Sequence, residues 1–363
     1  MTDLPSFWYC RFNVKLTWYD VKKKSTIKDI AKLAGVSATT VSMALNHHPK
    51  ISRKTRDRIV VIAEELHYYP NYVARSLVSR QSKTLGLVIT SIMNPFYPEL
   101  AKGIEDKAME LGYNVILCST TYDHRLQKHF IDLLRSKGVD GIVFSSVEIN
   151  DPDIKPLLDD NFPFVLVNRR IRSHELDKMI DYVVLDNFSG GYMAMQHLNK
   201  LGHRRVAIIA GSFAISTAME RTEGAKRAMI DGGLTIEPEL IVECHFSKEK
   251  AYDATRNLLE RESPPTAIFA QNDYMALGVR EAVFDAGLSI PEDIALVGFD
   301  NIAASALRGI ELTTISQKKY EMGTMAIEIL CKRIKENAAP VSQIILQPEI
   351  VIRKSCGYHQ KFP

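Results

Sequence analysis

The stretch Thr26-Ile-Lys-Asp-Ile-Ala-Lys-Leu-Ala-Gly35-Val-Ser-Ala-Thr-Thr-Val-Ser-Met-Ala-Leu-Asn46 spells two short helices around a tight turn. Thr26 is placed to cap the first helix with Asp29 at its third position, and Ile27, Ile30, Leu33 and Ala34 are expected on one apolar face. Gly35 supplies the left-handed residue that ends this helix. Val36 can plug the corner, Ser37 caps the second helix, and Val41 and Leu45, spaced i and i+4, turn that helix inward. The opposite face carries Ala38, Thr39, Ser42, Met43 and Asn46, slender groups that let a helix settle into a DNA major groove. An ordinary helical hairpin has the same caps, so the surrounding chain has to decide between the two.

The charge distribution favours DNA. The whole chain carries a net +3, but residues 22–83 hold thirteen Lys or Arg against four Asp or Glu, a net of +9. Residues 1–21 balance, so residues 84–363 carry −6. A basic segment confined to the helix-turn-helix is an electrostatic footprint for phosphate backbones. Five scattered cysteines without paired spacing argue against a disulfide framework or a zinc site, and no metal is assigned; the adjacent His47 and His48 lack a third ligand nearby. No apolar run is long enough to span a bilayer and no signal-peptide pattern opens the chain, so a cytoplasmic protein is expected.

Beyond Asn46, Ser52 opens a third helix with Ile59, Ile62, Ala63 and Leu66 at helical spacing, enough to close one small core. Tyr69-Pro-Asn-Tyr-Val-Ala-Arg-Ser-Leu-Val78 follows, with Pro70 as a break, Asn71 as a cap and about two helical turns that need a partner to stay folded. The run Thr26–Val78 resembles the headpiece and hinge of the LacI/GalR family of bacterial transcription regulators, and the resemblance extends through the rest of the chain. It implies that the second helix reads a half-site in the major groove and that paired hinge helices enter the minor groove. Leu77 falls where the family wedges a leucine between the central base pairs. Ala38, Thr39 and Met43 fall at base-choosing positions, and Thr26, Ser37, Thr40, Ser42, Asn46, Asn71, Ala74 and Arg75 lie nearer the backbone or the hinge. Where many relatives place Arg or His, this chain has Met43, which with Ala38 suits thymine methyl groups. Residues 1–24 precede the family's usual start and carry Phe7-Trp8-Tyr9 and Trp18-Tyr19; two readings stay open, an added segment near the DNA or a start codon placed too far upstream.

From Thr84 the pattern changes to apolar runs alternating with amphipathic stretches: Leu85–Thr90, Asn114–Cys118 and Gly141–Phe144 as buried parallel strands, with helices Phe96–Leu111 and His124–Lys137 between them. The rhythm restarts at Tyr182–Leu185 and runs through Arg205–Ile209, Thr266–Phe269 and Ile294–Val297, implying two similar subdomains. The resemblance adds a return crossing near Thr313–Ser316 and a last strand near Glu349–Arg353. The fold expected is an all-α helix-turn-helix headpiece (25–70), a hinge helix and linker (71–83), and an α/β periplasmic-binding-protein-like module (84–363) of two doubly wound parallel-sheet subdomains. The first of these spans about 84–184 and 314–336, the second about 185–313 and 337–356.

Open α/β sheets bind ligands beyond the carboxyl ends of their strands. There the sequence puts Asn94, Phe96 and Tyr97, then Asn168, Arg169 and Arg170, then Arg221, Asn272, Asp273 and Asp300. Taken singly, Asn272 reads as a helix cap, Asp300 as a turn former and Arg221 as a surface ion-pair partner. The resemblance places Arg221 at the family's effector-binding arginine and Asn272 and Asp300 at other cleft positions. A guanidinium with a facing carboxylate grips vicinal hydroxyls, so a sugar or sugar phosphate is the leading effector. Arg169-Arg170 leaves phosphate open, and Phe96 leaves a nucleobase open.

No dinucleotide, P-loop, nucleophile-elbow or zincin motif is present, so no enzyme and no cofactor is expected. A transport sugar-binding receptor is the other rival, and the basic headpiece stands against it. The expected protein is a repressor that binds a pseudo-palindromic double-stranded DNA operator as a homodimer and answers to a carbohydrate effector. The chain carries no leucine heptad at its C-terminus, which argues against a tetramer.

Overall fold

The computed structural model describes residues 25–46, 48–68, 81–173, 175–336 and 338–358, and the chain divides into two compact units, Met1–Arg75 and Ser76–Pro363. The extension 1–24, His47, and the hinge residues Asn71, Ala74, Arg75 and Leu77 lie outside the described residues.

Among the described residues the first unit has three helices, α1 (Ile27–Ala34), α2 (Ala38–Leu45) and α3 (Arg53–Glu65). Thr26 and Asp29 form a reciprocal capping box, Gly35 ends α1 at φ 61°, and Ser37 and Ser52 cap α2 and α3. Ile30, Ala31, Ala34, Val41, Ala44, Ile59 and Ala63 make the core, with Ile27, Val36, Leu45, Ile62 and Leu66 packed around it. Leu33 departs from expectation and is 63% exposed. The buried face of α1 runs through 27, 30, 31 and 34, an i, i+3, i+4, i+7 stripe, and Leu33 lies about a third of a turn off it.

Among the described residues the second unit holds two six-stranded sheets. The first contains β1 (Thr84–Ile89), β2 (Asn114–Ser119), β3 (Gly141–Ser145), β4 (Phe164–Val167), β5 (Tyr182–Leu185) and β11 (Gln343–Leu346), in the order β11-β5-β4-β3-β1-β2, all parallel. Helices α4 (Phe96–Glu110) and α11 (Lys319–Lys335) cover one face, and α5 (His124–Ser136) and α6 (Ile154–Asp159) the other. β1 shows why both are needed: Leu85, Leu87 and Ile89 join one core and Val88 the other.

The second sheet contains β6 (Val206–Ala210), β7 (Ile241–Glu243), β8 (Ala267–Ala270), β9 (Ala295–Asp300), β10 (Thr313–Ser316) and β12 (Glu349–Val351), in the order β12-β10-β9-β8-β6-β7. It is parallel except for β12, which runs antiparallel to β10. Its faces are covered by α7 (Asn187–Lys200) and α8 (Ser216–Asp231), and by α9 (Lys248–Leu259) and α10 (Asp273–Asp285). The chain crosses between the sheets after β5, β10 and β11.

Three expectations about these strands are corrected. Tyr182–Leu185 closes the first sheet and does not open the second; Thr313–Ser316 lies in the second sheet, so the return to the first comes after it, with α11; and Gln343–Leu346, assigned to the second subdomain, pairs with β5 in the first. Strands at a crossing are short apolar runs whose sheet is decided by distant partners. Nor is β2 a buried strand: it is an edge, with Ile116 and Leu117 41% and 40% exposed. Among the described residues no helix is long and apolar enough to cross a membrane.

Candidate functional site

In the first unit, the α2 residues singled out from sequence present one surface. Ala38, Thr39 and Asn46 are exposed, and Thr40, Ser42 and Met43 are half-buried. The caps consume some hydroxyls: Ser37 Oγ accepts from Thr40 N at 3.0 Å and meets Thr40 Oγ1 at 2.9 Å, while Thr26 Oγ1 donates to Asp29 Oδ2 at 2.7 Å. Ser37 and Thr26 therefore spend their hydroxyls capping α2 and α1, and Ala38, Thr39 and Met43 are left to define the chemistry of the surface.

In the second unit, the ends of β1, β4, β9 and β10, the start of α4, α8 and α10, and the turn after β7 converge on one polar cavity. Asn94, Phe96, Tyr97, Asn168, Arg169, Arg221, Asn272 and Asp300 all line it, whereas Arg170 and Asp273, also placed at the strand ends from the sequence, do not. Thr217, Phe246 and Gln317 complete the lining. Gln317 follows β10, where the strand-end rule would have found it, and Thr217 lies one turn before Arg221 on α8. The enclosed room is about 20 Å³, close to a single water, so the walls are drawn together around their own polar groups.

Arg221 sits at the centre, 2% exposed. Its Nε donates to Asn187 Oδ1 at 2.9 Å and Nη1 to Gln271 O at 2.5 Å, and the guanidinium lies 3.6 Å from the Phe299 ring centroid. Asp300 Oδ1 is 3.9 Å from Nη1 and accepts from Gln317 Nε2 at 2.6 Å. Burial lowers the Arg221 pKa to about 10, which keeps it charged at neutral pH. Burial raises Asp300 to about 7, with Arg221 pulling it down and Asp273 pushing it up. The surface ion pair that Arg221 would suggest in isolation is instead a buried one, loosely spaced and open to a third group.

The remaining walls divide between spent and unspent groups. Asn272 is both cap and lining, its Oδ1 accepting from Met275 N at 2.8 Å. Tyr97 Oη is taken by Thr90 Oγ1 and Ser145 O. Asn168, held at φ 68°, keeps Oδ1 without a hydrogen-bond partner, as do Arg169 Nε and Gln317 Oε1, all buried. Asp273, by contrast, is saturated by Ile302 N, Ser305 Oγ and Thr314 Oγ1 and faces the interior. Arg170 turns to the other flank of α8, donates to Glu220 and borders a separate cavity of about 250 Å³ with Arg172, Asp186 and Glu223. The double arginine therefore does not act as one anion clamp.

The family profile "Periplasmic binding proteins and sugar binding domain of LacI family" matches residues 82–354, and "Bacterial regulatory proteins, lacI family" matches residues 26–71. Among similar proteins, the HTH-type transcriptional repressor PurR of Aliivibrio fischeri is 39% identical over 93% of this chain and 100% of its own. The HTH-type transcriptional regulator DegA of Bacillus subtilis is 36% identical over 92% and 98%. Among solved structures, the lac repressor dimer bound to operator and the anti-inducer ONPF superposes with a TM-score of 0.80 at 26% identity, covering 92% of this chain and 99% of that one. The transcriptional regulator CelR in complex with cellobiose gives 0.71 at 28% identity, covering 92% and 100%.

Proposed function

We propose that this chain, which belongs to the LacI family of bacterial regulatory proteins, is a homodimeric cytoplasmic repressor whose grip on a pseudo-palindromic operator is set by a small ring compound bound beside Arg221. Membership makes it a DNA-binding transcriptional regulator and not an enzyme. The observation that carries the effector reading is the buried Arg221–Asp300 pair ringed by Asn168, Arg169 and Gln317, each with a polar atom unsatisfied. Such atoms cost free energy until something bonds them, and ligand hydroxyls placed between the guanidinium and the carboxylate would do so. A sugar fits this donor set, and the cellobiose complex of a similar regulator supports it. A nucleobase is the second reading, favoured by Phe96 and Phe246 in the same walls.

The mechanism is a two-state switch. A ligand that contacts both subdomains binds their alternative arrangements unequally, and only that difference can move the hinge and headpieces. Ile92 and Met93, 60% and 75% exposed, follow β1, and Ile116 and Leu117 are exposed on the neighbouring edge strand β2; these apolar groups are available to a second copy, and a similar repressor solved as a dimer supports a homodimer. On the operator, Ala38, Thr39 and Met43 choose bases and Leu77 wedges between them.

Two variants test the two halves of this reading. Arg221→Ala is expected to weaken effector binding at least a hundredfold in calorimetry while operator affinity in a gel-shift titration stays within threefold. Unchanged effector affinity would refute the site. Leu77→Ala is expected to weaken operator binding far more than non-specific DNA binding, since only the former pays for a kink; equal losses would refute the wedge.

A further inference from the structure

The second connection of each sheet is built to one plan. β2 and β7 are the edge strands beside β1 and β6. Thr120 N donates to Ile89 O and Asp123 N to Thr120 O; in the other subdomain Cys244 N donates to Ala210 O and Ser247 N to Cys244 O. Between them the chain takes two left-handed residues in succession, Thr121 and Tyr122 at φ 49° and 63°, and His245 and Phe246 at φ 52° and 58°. Asp123 and Ser247 then cap α5 and α9. Left-handed backbone is uncommon for bulky residues, so its repetition makes Tyr122 the counterpart of Phe246.

The two rings end in different places, and one residue explains it. Phe246 is buried in the cavity wall because Gly211, just after β6, leaves it room: a Cβ there would stand 2.2 Å from Phe246 Cζ. The equivalent position after β1 is Thr90, whose hydroxyl is bonded to Tyr97 Oη at 2.6 Å. With that space filled, Tyr122 stays at the rim, 45% exposed. Its hydroxyl reaches inward among Thr90, Asn94, Tyr97 and Arg169, and burial there raises the phenol's pKa. Three of those four neighbours line the cavity.

We propose that Tyr122 is the outer aromatic wall of the Arg221 cleft, standing at its mouth where Phe246 stands inside, and that it limits entry to ligands one ring wide. The inference rests on reading that cleft as an effector site. Its phenol offers a flat face and a hydroxyl, which suits a ring with an apolar face and polar edges, whether pyranose or nucleobase.

The test is size-selective labelling of the full-length protein carrying Thr217→Cys, a thiol in the cavity wall, with the native cysteines' rate subtracted. Methyl methanethiosulfonate serves as the small reagent and fluorescein maleimide as the large one. Tyr122→Ala is expected to raise the maleimide rate at least tenfold while changing the small reagent's rate less than threefold, and Tyr122→Phe to leave both unchanged. Thr90→Gly, which gives the phenol the space Phe246 has, is expected to slow both reagents. If Tyr122→Ala does not fold, Tyr122→Gly removes the ring and relieves the left-handed backbone. An unchanged maleimide rate in the folded variant overturns the proposal. No ligand is needed, so this result is independent of the Arg221→Ala experiment, whose failure would instead count against the effector reading.

Discussion

The recognition surface of the first unit and the cavity of the second solve the same problem, holding a few side chains in place, by opposite means. α2 is fixed by neighbours in sequence: Gly35 ends the helix before it, Ser37 caps it, and Val41 and Ala44 anchor it to a core of seven buried residues. The cavity has no such local frame. Asn94 follows the first strand and Gln317 the tenth, and Arg221 is held by Asn187, Gln271, Phe299 and Asp300 from three separate segments. A locally built site tolerates damage elsewhere, whereas a globally built one inherits every error in the packing of its helices.

The strongest way to break the comparison is to strike that packing. α7 and α8 approach through glycines: a Cβ at Gly224 would lie 2.0 Å from Phe188 O and 2.9 Å from Tyr192 N, and one at Gly191 would lie 2.1 Å from Arg221 O. These are backbone atoms and cannot swing aside. Gly224→Leu is expected to cost the second unit several kcal/mol, on the order of 10 °C in its melting temperature, and to abolish effector binding. The transition of the first unit should stay within 1–2 °C. Scanning calorimetry decides; two transitions that fall together would show the units to be energetically one.

What could be read from the chain follows the same division. Thr26, Gly35 and Ser37 announce the helix-turn-helix because caps and left-handed turns are decided within a few residues. The strand-end rule located Asn94, Asn168, Asn272 and Asp300 without knowing their partners, since every parallel strand points its carboxyl end at the cleft. It could not separate Arg169 from Arg170, whose side chains take opposite flanks of α8. Nor did it find Phe246, whose place depends on a glycine after a different strand and on a backbone angle that aromatic residues rarely adopt. Leu33 shows that even local patterns slip, because α1 buries Ala31 where the apolar pattern offered a leucine.

A middle-sized effect comes from pH, and one of its two sources lies in the cavity. Asp300 in the fold titrates near 7, above its ordinary value of 3.8, so its protonated form favours folding. That contribution is complete below about pH 4 and is lost as the pH rises through 7. His197 acts oppositely: burial lowers it to about 4, and the fold loses stability as the pH falls from 6.5 toward that value. The two partly cancel in the wild type, and Asp300→Asn separates them. Between pH 5 and 7 the wild type is expected to lose stability relative to this variant by at most about 1.4 kcal/mol per pH unit, read from urea unfolding. Parallel profiles would mean that Asp300 is already ionised throughout. Effector affinity should run the other way, rising toward pH 8, because the ionised carboxylate accepts from ligand hydroxyls through both oxygens and more strongly than the neutral acid.

The smallest effect probes the local side. In Ser37→Ala the N–H of Thr40 loses its 3.0 Å acceptor, and the Thr40 hydroxyl loses its partner at 2.9 Å. An exposed N-cap of this type contributes about 1 kcal/mol, and this one also sets the direction in which α2 leaves the turn after Gly35. The expected outcome is a loss of about 1 kcal/mol confined to the first unit, with operator affinity reduced a few-fold, because the fraction of headpieces with α2 in place falls, and with effector affinity unchanged. Ser37→Asp restores an acceptor and adds a charge favourable at a helix N-terminus but unfavourable beside phosphate. It should therefore recover the stability and not the DNA affinity. If Ser37→Asp recovers both, Ser37 does nothing at the DNA beyond capping; if it recovers neither, α2 is held by its contacts with the core and not by its cap.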